Sequence, residues 1–295
     1  MPPLAVVIQL YIKRDTLAGL FLSLVRCRGV ENVDLILWCD VPPDADPAAP
    51  AHRAASIVRQ LVDAIATQYR PLFRSVTVHR NERNQGTCAT CRTALDHAFA
   101  NHEFVVFAED DVVFARDALE WFSAMRADPA FAAERCWAIA GESVLFDAGG
   151  RPIPDGWVPP MRELAQTMRY DTFFVAEGFI PSTCFATTAH KWAAFGHTRG
   201  QQLGDVDVCD RCRDEDRICL LPLVARVVDV GERHELGWSV TQHGLDGVPM
   251  TKNTYLTSDA IVGKTAVFRL YPGSKDRLWR LTSLLDDQYH PGLIP

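Results

Sequence analysis

The sequence has no excess of positive charge, which excludes a large class of partners. Lysine and arginine number 30 against 37 aspartate and glutamate residues, so the net charge is -7 and the isoelectric point lies near 5.7. Binding to a phosphate backbone depends on neutralising its charge, and an acidic chain offers no basic surface for it. We therefore expect no nucleic acid partner, although a local basic pocket for a nucleotide is compatible with this balance.

Long apolar runs are also missing. No stretch approaches the roughly 18 apolar residues that a membrane-spanning helix requires. The first four residues run straight into a short apolar segment, without the basic region, apolar core and cleavage site of a signal peptide. We expect no transmembrane segment and a cytoplasmic location.

The chain lacks the dense, even set of cysteines that staples small secreted proteins. Its nine cysteines are an odd number spread over 295 residues, which favours reduced thiols. Two CxxC pairs, Cys88/Cys91 and Cys209/Cys212, raise the alternative of a zinc site. Each pair lies in a stretch with a helical pattern, where positions i and i+3 share one face, so buried small side chains are the favoured interpretation.

The first 115 residues do contain a regular alternation of strands and helices. Residues 4–10 are apolar except for Gln9, which is typical of a strand buried on both faces of a parallel sheet. A helix follows, with Asp15 or Thr16 as its N-cap and one apolar stripe made of Leu17, Leu20, Phe21, Leu24 and Val25. Further elements are expected at residues 34–40, 52–69 and 75–79. This pattern predicts an α/β fold with a mostly parallel, doubly wound sheet, in which ligands bind at the carboxyl ends of the strands.

Three consecutive acids interrupt an apolar strand near the middle of the chain. Residues 104–107 are apolar, Glu109, Asp110 and Asp111 follow, and the apolar pattern resumes at 112–114. Burying carboxylates without compensation is costly, so a positive charge should lie nearby. Oxygen ligands at a strand end suit Mg²⁺ or Mn²⁺, which in turn bind phosphate oxygens. A solvated turn between two strands is the alternative.

The residues after the acids predict a further helix. Asp117 and Glu120 have the spacing of a capping box, in which the first side chain caps the helix N-terminus. Trp121, Phe122 and Met125 would form the apolar face of that helix. All of these residues are expected to be structural.

Two stretches around the acids resemble N-acetylglucosaminyltransferase I, a glycosyltransferase of the GT-A type. In that family a helix bearing an arginine precedes an EDD strand, and a helix with an aromatic pair follows. Residues 87–95 and 104–122 reproduce this order, and residues 136–143, residues 169–174 and the pair Gly178-Phe179 continue it. The resemblance implies a GT-A fold, Rossmann-like, with a smaller subregion on the acceptor side.

A second resemblance concerns a later part of the chain. Residues 204–213 and 217–222 are similar to the late helix and strand of family 2 inverting glycosyltransferases. The general base of that family corresponds to Asp205, with Asp207 as the alternative. Gly204 stands where the family has glutamate, so the chain departs from the pattern at this point.

Together the resemblances imply a metal-dependent transferase that moves a sugar from a nucleotide-diphosphate donor, with a uridine nucleotide favoured, to an acceptor hydroxyl. They imply coordination of Mn²⁺ or Mg²⁺ by Asp111 and a donor-sugar contact by Glu109, Gly178 and Phe179. A single base opposite the leaving group implies inversion of the anomeric centre. The acceptor could be a small molecule, a lipid-linked molecule or a glycan.

The donor nucleotide is expected at the carboxyl ends of the first strands. Their positions make Gln9, Tyr11 and Arg14 candidates. The resemblance adds Asp40 for the base, Asp110 for the ribose or a metal-bound water, and Arg92 or Arg14 for the base or phosphates. Arg92 has the alternative of an i, i+4 pair with Asp96.

Late residues are candidates for closing the site. His234 and His243 lie in a stretch punctuated by glycine at residues 231–247, which could form a lid. Some GT-A enzymes take a further metal ligand from a late histidine, and His243 is our candidate, with a structural or exposed histidine as the alternative. Lys252 could neutralise a diphosphate.

The chain shows no internal repeat or linker, so we predict one domain over residues 1–295. By the resemblance, residues 1–115 form the nucleotide-binding half, residues 116–256 the acceptor and catalytic half, and residues 257–295 a C-terminal extension. Two other functions are open: a sugar-phosphate nucleotidyltransferase, which should carry a glycine-rich basic signature after its first strand, and a non-catalytic carbohydrate-binding protein of the same fold.

Overall fold

The computed structural model describes residues 3–43, 48–142, 173–177, 181–196, 208, 211–212, 214–222, 225–231 and 268–270. The strands in these ranges are β1 (Leu4–Leu10), β2 (Val33–Cys39), β3 (Ser75–Arg80), β4 (Phe104–Ala108), β5 (Val112–Phe114), β6 (Cys136–Ala140), β7 (Phe173–Glu177), β8 (Cys184–Thr188), β9 (Ile218–Pro222), β10 (Val227–Asp229) and β11 (Phe268–Leu270). The α-helices are α1 (Arg14–Leu24), α2 (Pro50–Gln68), α3 (Gly86–Phe99), α4 (Ala118–Arg126), α5 (Pro129–Ala132) and α6 (Ala189–Lys191). Short 3₁₀ turns lie at Val30–Asn32 and Arg70–Leu72, and a π turn at Trp192–Gly196 follows α6.

The described strands form one large sheet and one small ladder. The large sheet has nine strands in the order β11-β7-β9-β6-β8-β4-β1-β2-β3. Strands β3, β2, β1, β4, β6, β9 and β11 point one way, and β8 and β7 point the other. The sheet is therefore mostly parallel, as the alternating pattern predicts. Strands β5 and β10 pair antiparallel in the small ladder, with Val113 opposite Val228.

Helices cover both faces of the sheet, which explains why β1 is apolar at every position except Gln9. Its side chains Leu4, Val6, Ile8 and Leu10 belong to one core cluster with residues of α1, α2 and α4. Ala5 and Val7 belong to a second cluster with α3 and the turn that contains Trp192. Every residue of β1 is buried. Alternate side chains of one strand thus pack into two cores, and that arrangement requires a strand that is apolar on both faces over most of its length.

The predicted elements of the first half are confirmed to within two residues at their ends, but both predicted side-chain caps are wrong. Helix α1 begins at Arg14, and the Thr16 hydroxyl donates to the carbonyl oxygens of Lys13 and Asp110, at 3.0 and 2.9 Å. Asp117 precedes α4 but makes no capping hydrogen bond. Its carboxylate is instead buried beside Arg226, with Nε 3.3 Å from Oδ2.

Candidate functional site

Polar side chains converge where β1, β2 and β4 end. These three strands are parallel neighbours, so their carboxyl ends meet at the same edge of the sheet. Gln9 is near the end of β1, Asp40 follows β2, and Glu109, Asp110 and Asp111 follow β4. The structure therefore brings together candidates that are up to about a hundred residues apart in the chain.

The acidic residues after β4 are held firmly from the end of β1. Asp110 and Asp111 are buried, with 5% and 3% of their surface exposed. The Tyr11 backbone N–H donates to Asp110 Oδ2 at 2.9 Å. The Glu109 backbone N–H donates to the Thr183 carbonyl oxygen at 2.9 Å, which ties the start of the turn to the residue before β8. A solvated turn, the alternative for these acids, is therefore wrong.

Lys13 supplies the positive charge that the buried acids require. Its Nζ atom donates to Asp111 Oδ2, and it lies 3.9 Å from Asp110 Oδ1. The Lys13 side chain itself is only 17% exposed. Two carboxylates and one ammonium group thus share a largely dry space, and the group carries one negative charge in excess when all three are ionised.

The pKa values of this group follow from burial and mutual charge. Burial raises the pKa of Asp110 to about 7, the Asp111 charge adds to the rise, and Lys13 opposes it. Burial lowers the pKa of Lys13, but its attraction to Asp111, Asp110 and Glu109 outweighs that and raises the pKa well above its ordinary value. Lys13 is therefore a permanent cation at neutral pH.

One carboxylate oxygen of the acidic turn has no partner among the described residues. Asp111 Oδ1 is buried and accepts no hydrogen bond from that part of the chain, although Oδ2 of the same carboxylate binds Lys13. A buried carboxylate oxygen without a partner is costly, and coordination of a cation would satisfy it. Asp111 and Asp110 thus fit a hard divalent metal by their chemistry. Within the described ranges, no group of three or more His, Cys, Asp or Glu side chains converges on one point, so water, a ligand or a residue outside these ranges would have to complete a coordination shell.

Asp40 organises the turn that leads into α3. Its carboxylate accepts from Asn81 Nδ2 at 2.9 Å, from the Gly86 backbone N–H at 3.1 Å and from the Gln85 backbone N–H at 3.2 Å. Gly86 has φ +76°, in the left-handed region that favours glycine. Asn81 also accepts from Trp38 Nε1 at 2.9 Å. Asp40 therefore holds the start of α3 against the end of β2.

The other candidates for the nucleotide differ in their surroundings. Gln9 donates from Nε2 to the Thr87 carbonyl oxygen at 3.1 Å, while its buried Oε1 atom has no hydrogen-bond partner in the part of the chain that the structure describes. Arg14 is exposed and pairs with Asp15, Nε to Oδ1, at 3.2 Å. Arg92 lies on α3, and Asp96 one turn later accepts from Trp192 Nε1 at 2.7 Å. Gln9 thus offers a buried acceptor beside the acids, and Arg14 faces solvent.

The segment that includes β10 also supports the acids. The Val230 backbone N–H donates to the Asp111 carbonyl oxygen at 2.8 Å. Asp229 accepts from the Gly231 backbone N–H at 2.7 Å, and the Asp229 backbone N–H donates to Glu142 Oε1 at 3.1 Å. A connected set of hydrogen bonds therefore runs from the end of β6 to Asp111.

The sequence pattern singled out neither the role of Lys13 nor the supporting residues Glu142, Asp229 and Gly231. Lys13 does carry a weak signal, since it follows directly on the apolar run of β1, at the edge where ligands bind. For Glu142, Asp229 and Gly231 the chain offers no periodicity or motif. Their positions depend on the pairing of β5 with β10, which only the folded chain reveals.

Several predicted site residues lie outside the described residues. These are Gly178, Phe179, Asp205, Asp207, His234, His243 and Lys252. Their assignments remain predictions. Cys88 and Cys91 do lie on α3, as free thiols, whereas Cys209 is outside the described ranges.

Comparisons with known proteins find similarity in structure only. No protein-family model and no curated protein sequence matches the chain. The solved structures similar to it include glycosyltransferases. The mannosyltransferase PcManGT from Pyrobaculum calidifontis, in complex with GDP-Man and Mn²⁺, is 15% identical with a TM-score of 0.46, and the match covers 75% of this chain and 55% of that one.

Two bacterial proteins give matches of the same order. S. aureus TarS 1-349 is 14% identical with a TM-score of 0.49, over 78% of this chain and 61% of that chain. The glycosyltransferase GlyE of Streptococcus pneumoniae is 11% identical with a TM-score of 0.42, over 74% of this chain and 45% of that one. The chain thus spans about half of the length of these structures. Within the described ranges, no helix is both long and apolar enough to cross a membrane.

Proposed function

We propose that the chain is a glycosyltransferase of the GT-A type that transfers a sugar from a nucleotide-diphosphate donor to an acceptor hydroxyl with the help of a divalent metal. The observation that carries the proposal is the buried pair Asp110 and Asp111 at the end of β4, where Asp111 Oδ1 has no partner within the described ranges. The resemblance of residues 87–95 and 104–122 to N-acetylglucosaminyltransferase I points to the same residues.

Asp111 would hold the metal directly, and Asp110 would bind the ribose or a metal-bound water. Mn²⁺ or Mg²⁺ at this position would supply Lewis-acid stabilisation of the negative charge on the diphosphate leaving group. Asp110 is fixed by the Tyr11 backbone N–H, so its remaining oxygen is oriented before any ligand arrives. His243 is our candidate for a further ligand.

The nucleotide would lie along the ends of β1 and β2. No described residue is a hydrogen-bond partner of the buried Gln9 Oε1 atom, and a base N–H or a ribose hydroxyl would satisfy it. The Asp40 carboxylate already accepts hydrogen bonds from the turn before α3, which favours a role in shaping the pocket for the base. Tyr11, Arg14 and Arg92 complete the candidates for nucleotide contacts.

The chemical step needs a base for the acceptor hydroxyl. Asp205 is the candidate by resemblance, with Asp207 as the alternative, and Glu109, Gly178 and Phe179 would contact the donor sugar. A base that removes the acceptor proton from the side opposite the leaving group leads to inversion at the anomeric carbon. The wider expectations also stand as proposals: a uridine nucleotide as the preferred carrier, a small-molecule, lipid-linked or glycan acceptor, a cytoplasmic location, and one domain divided at about residues 115 and 256.

The test is release of the nucleotide from a labelled sugar donor. Purified protein is incubated with UDP-glucose, UDP-N-acetylglucosamine or GDP-mannose, with Mn²⁺ or with EDTA, and free nucleoside diphosphate is measured. We expect Mn²⁺-dependent release from one donor, faster when a suitable acceptor is present, and lost in Asp111→Asn. The anomeric configuration of the product, read by NMR, tests inversion.

The outcomes separate the proposal from its rivals. Pyrophosphate formation from a nucleoside triphosphate and a sugar phosphate would identify a nucleotidyltransferase instead. Binding of sugar without release from any donor would favour the non-catalytic protein. A product with retained configuration would overturn the inverting mechanism and the role of Asp205 while leaving the transferase standing.

A further inference from the structure

Lys13 occupies the same carboxylate that a metal would need. Its Nζ atom donates to Asp111 Oδ2 and lies 3.9 Å from Asp110 Oδ1, so it interacts with both candidate metal ligands. A metal that takes Asp111 Oδ1, the oxygen without a partner among the described residues, would share that carboxylate with the Lys13 ammonium group on Oδ2. Two cations placed side by side would also repel each other strongly in a space that excludes most water.

The placement of Lys13 is built into the fold. The residue directly precedes α1, and its carbonyl oxygen accepts from the Thr16 hydroxyl at 3.0 Å. The same hydroxyl donates to the Asp110 carbonyl oxygen at 2.9 Å, which fixes the start of α1 to the acidic turn. The backbone of Lys13 is therefore anchored beside the acids, while its long side chain can turn toward another anion without moving the helix.

On the basis of the function proposed above, we infer that Lys13 competes with the divalent metal for Asp111 and thereby couples metal binding to nucleotide binding. While Lys13 holds Asp111, free metal ion binds weakly. A nucleoside diphosphate offers Lys13 a second anionic partner and supplies additional oxygen ligands to the metal. The metal and the diphosphate therefore bind together more tightly than either binds alone, and the coupling is reciprocal.

Substituting Lys13 should change the metal affinity in the opposite direction to substituting an ordinary metal ligand. Removal of a metal ligand weakens metal binding, whereas removal of Lys13 should strengthen the binding of free metal. A unit charge at a few ångströms in a partly buried site is large enough to change affinity by at least about tenfold. The increase in metal affinity should be greatest without nucleotide. With nucleotide present, the diphosphate already draws Lys13 away from Asp111 in the wild type, so removing Lys13 changes less.

The experiment measures Mn²⁺ binding directly, without relying on activity. Loss of the free Mn²⁺ signal in electron paramagnetic resonance, checked by calorimetry, is followed for the wild type, Lys13→Met, Lys13→Gln and Lys13→Arg, each with and without UDP or GDP. We expect Lys13→Met and Lys13→Gln to bind Mn²⁺ at least about tenfold more tightly than the wild type without nucleotide. Lys13→Arg keeps the charge and should stay close to the wild type.

Two controls make the result decisive. Arg53 is an exposed residue of α2 whose guanidinium group donates to the Ala48 carbonyl oxygen. Arg53→Met therefore tests the effect of net charge alone and should not change the Mn²⁺ affinity. Thermal unfolding shows whether each variant is folded. If Lys13→Met is not folded, the conclusion is drawn from Lys13→Gln.

The failures of the two proposals can be told apart. If the wild type binds Mn²⁺ as tightly as the folded Lys13 variants, and Asp111→Asn abolishes that binding, the metal site stands and competition by Lys13 is wrong. If no folded variant binds Mn²⁺ with or without nucleotide, both the metal-dependent function and the competition are overturned.

Discussion

Gly231 lies so close to Asp111 that no side chain fits between them. A Cβ atom at residue 231 would overlap the Asp111 carboxylate and approach its Cβ atom to 2.7 Å. Real Cβ contacts are longer, so either the 225–231 segment or Asp111 would have to move. Because the segment is tied to Asp111 by the Val230 hydrogen bond, the fold sets this close approach.

Gly231→Ala should therefore damage the site more than the fold. We expect a loss of stability of about 1–3 kcal/mol from overpacking. We also expect metal-linked nucleotide binding to weaken by at least about tenfold, since metal ligands must be placed to within about 0.2 Å. Calorimetry and urea unfolding measure the two effects separately.

Gly19→Ala is the matched control. Gly19 lies inside α1, and an added Cβ atom would meet only Val113 Cγ2 at an ordinary 3.9 Å. Alanine in a helix interior should stabilise the protein by roughly 0.5–1 kcal/mol. If both variants bind metal and nucleotide like the wild type, the close approach of Gly231 has no bearing on the site.

The buried pair of Arg226 and Asp117 should behave as a unit. Both side chains are fully buried, and Arg226 also lies over the Trp121 ring at 5.4 Å. Arg226→Met leaves the Asp117 charge uncompensated and should cost about 3–5 kcal/mol. The double variant Arg226→Met with Asp117→Asn should regain at least about 1 kcal/mol of that loss. Urea unfolding of the four proteins gives the coupling energy, and strictly additive losses would show that the two residues do not depend on each other.

The contribution of Asp34 to stability should depend on pH. Burial alone would raise the pKa of Asp34, but hydrogen bonds from Arg74, at 2.9 and 2.6 Å, and from Ser75, at 2.5 Å, outweigh it and lower the pKa. A carboxyl group with a lowered pKa stabilises the fold above its unfolded pKa of about 3.9, and the effect is lost as pH falls through the folded value.

Asp34→Asn should accordingly lower the urea midpoint by the same amount at pH 7 and pH 5. The difference from the wild type should shrink below about pH 4, where the carboxyl group is protonated first in the unfolded chain and, at still lower pH, in the folded protein. A difference that stays constant down to pH 3 would show that the negative charge of Asp34 contributes nothing to the stability of the protein.

The buried thiols should be unreactive until the protein unfolds. Burial raises the pKa of Cys39 to about 11 and that of Cys136 to about 12, so the reactive thiolate is scarce at pH 8. Cys88 is partly exposed on α3. Iodoacetamide at pH 8, followed by peptide mass spectrometry, should label Cys88 well before Cys39 and Cys136. Equal labelling rates in the folded protein would contradict this account of the core.

The local pattern was sufficient to predict the strands and helices of the first half. The apolar run of β1 and the spacing of Leu17, Leu20 and Phe21 follow from burial. Burial can be predicted without knowing which elements pack against these residues. The same holds for Asp110 and Asp111, because three acids between two apolar strands indicate a buried charged site whatever the fold of the rest of the chain.

Interactions between distant residues were not predictable in this way. Asp117 and Glu120 have the spacing of a capping box, yet Asp117 pairs with Arg226 and Glu120 accepts from Arg28 Nε at 2.9 Å. A local rule fails where a tertiary partner offers a stronger interaction. Lys13 is 98 residues from Asp111 in the chain, and only the parallel pairing of β1 with β4 brings them together.

The most direct test of the central claim is a calorimetric titration of UDP and GDP into the wild type and Asp111→Asn, each with and without Mn²⁺. Asp63→Asn, which removes an exposed acid of α2 paired with Arg80, is the control for lost charge. We predict that one nucleotide binds the wild type and the control tightly only when Mn²⁺ is present, and that Asp111→Asn loses this dependence. Nucleotide binding that is unchanged by Mn²⁺ and by the Asp111 substitution would contradict the account.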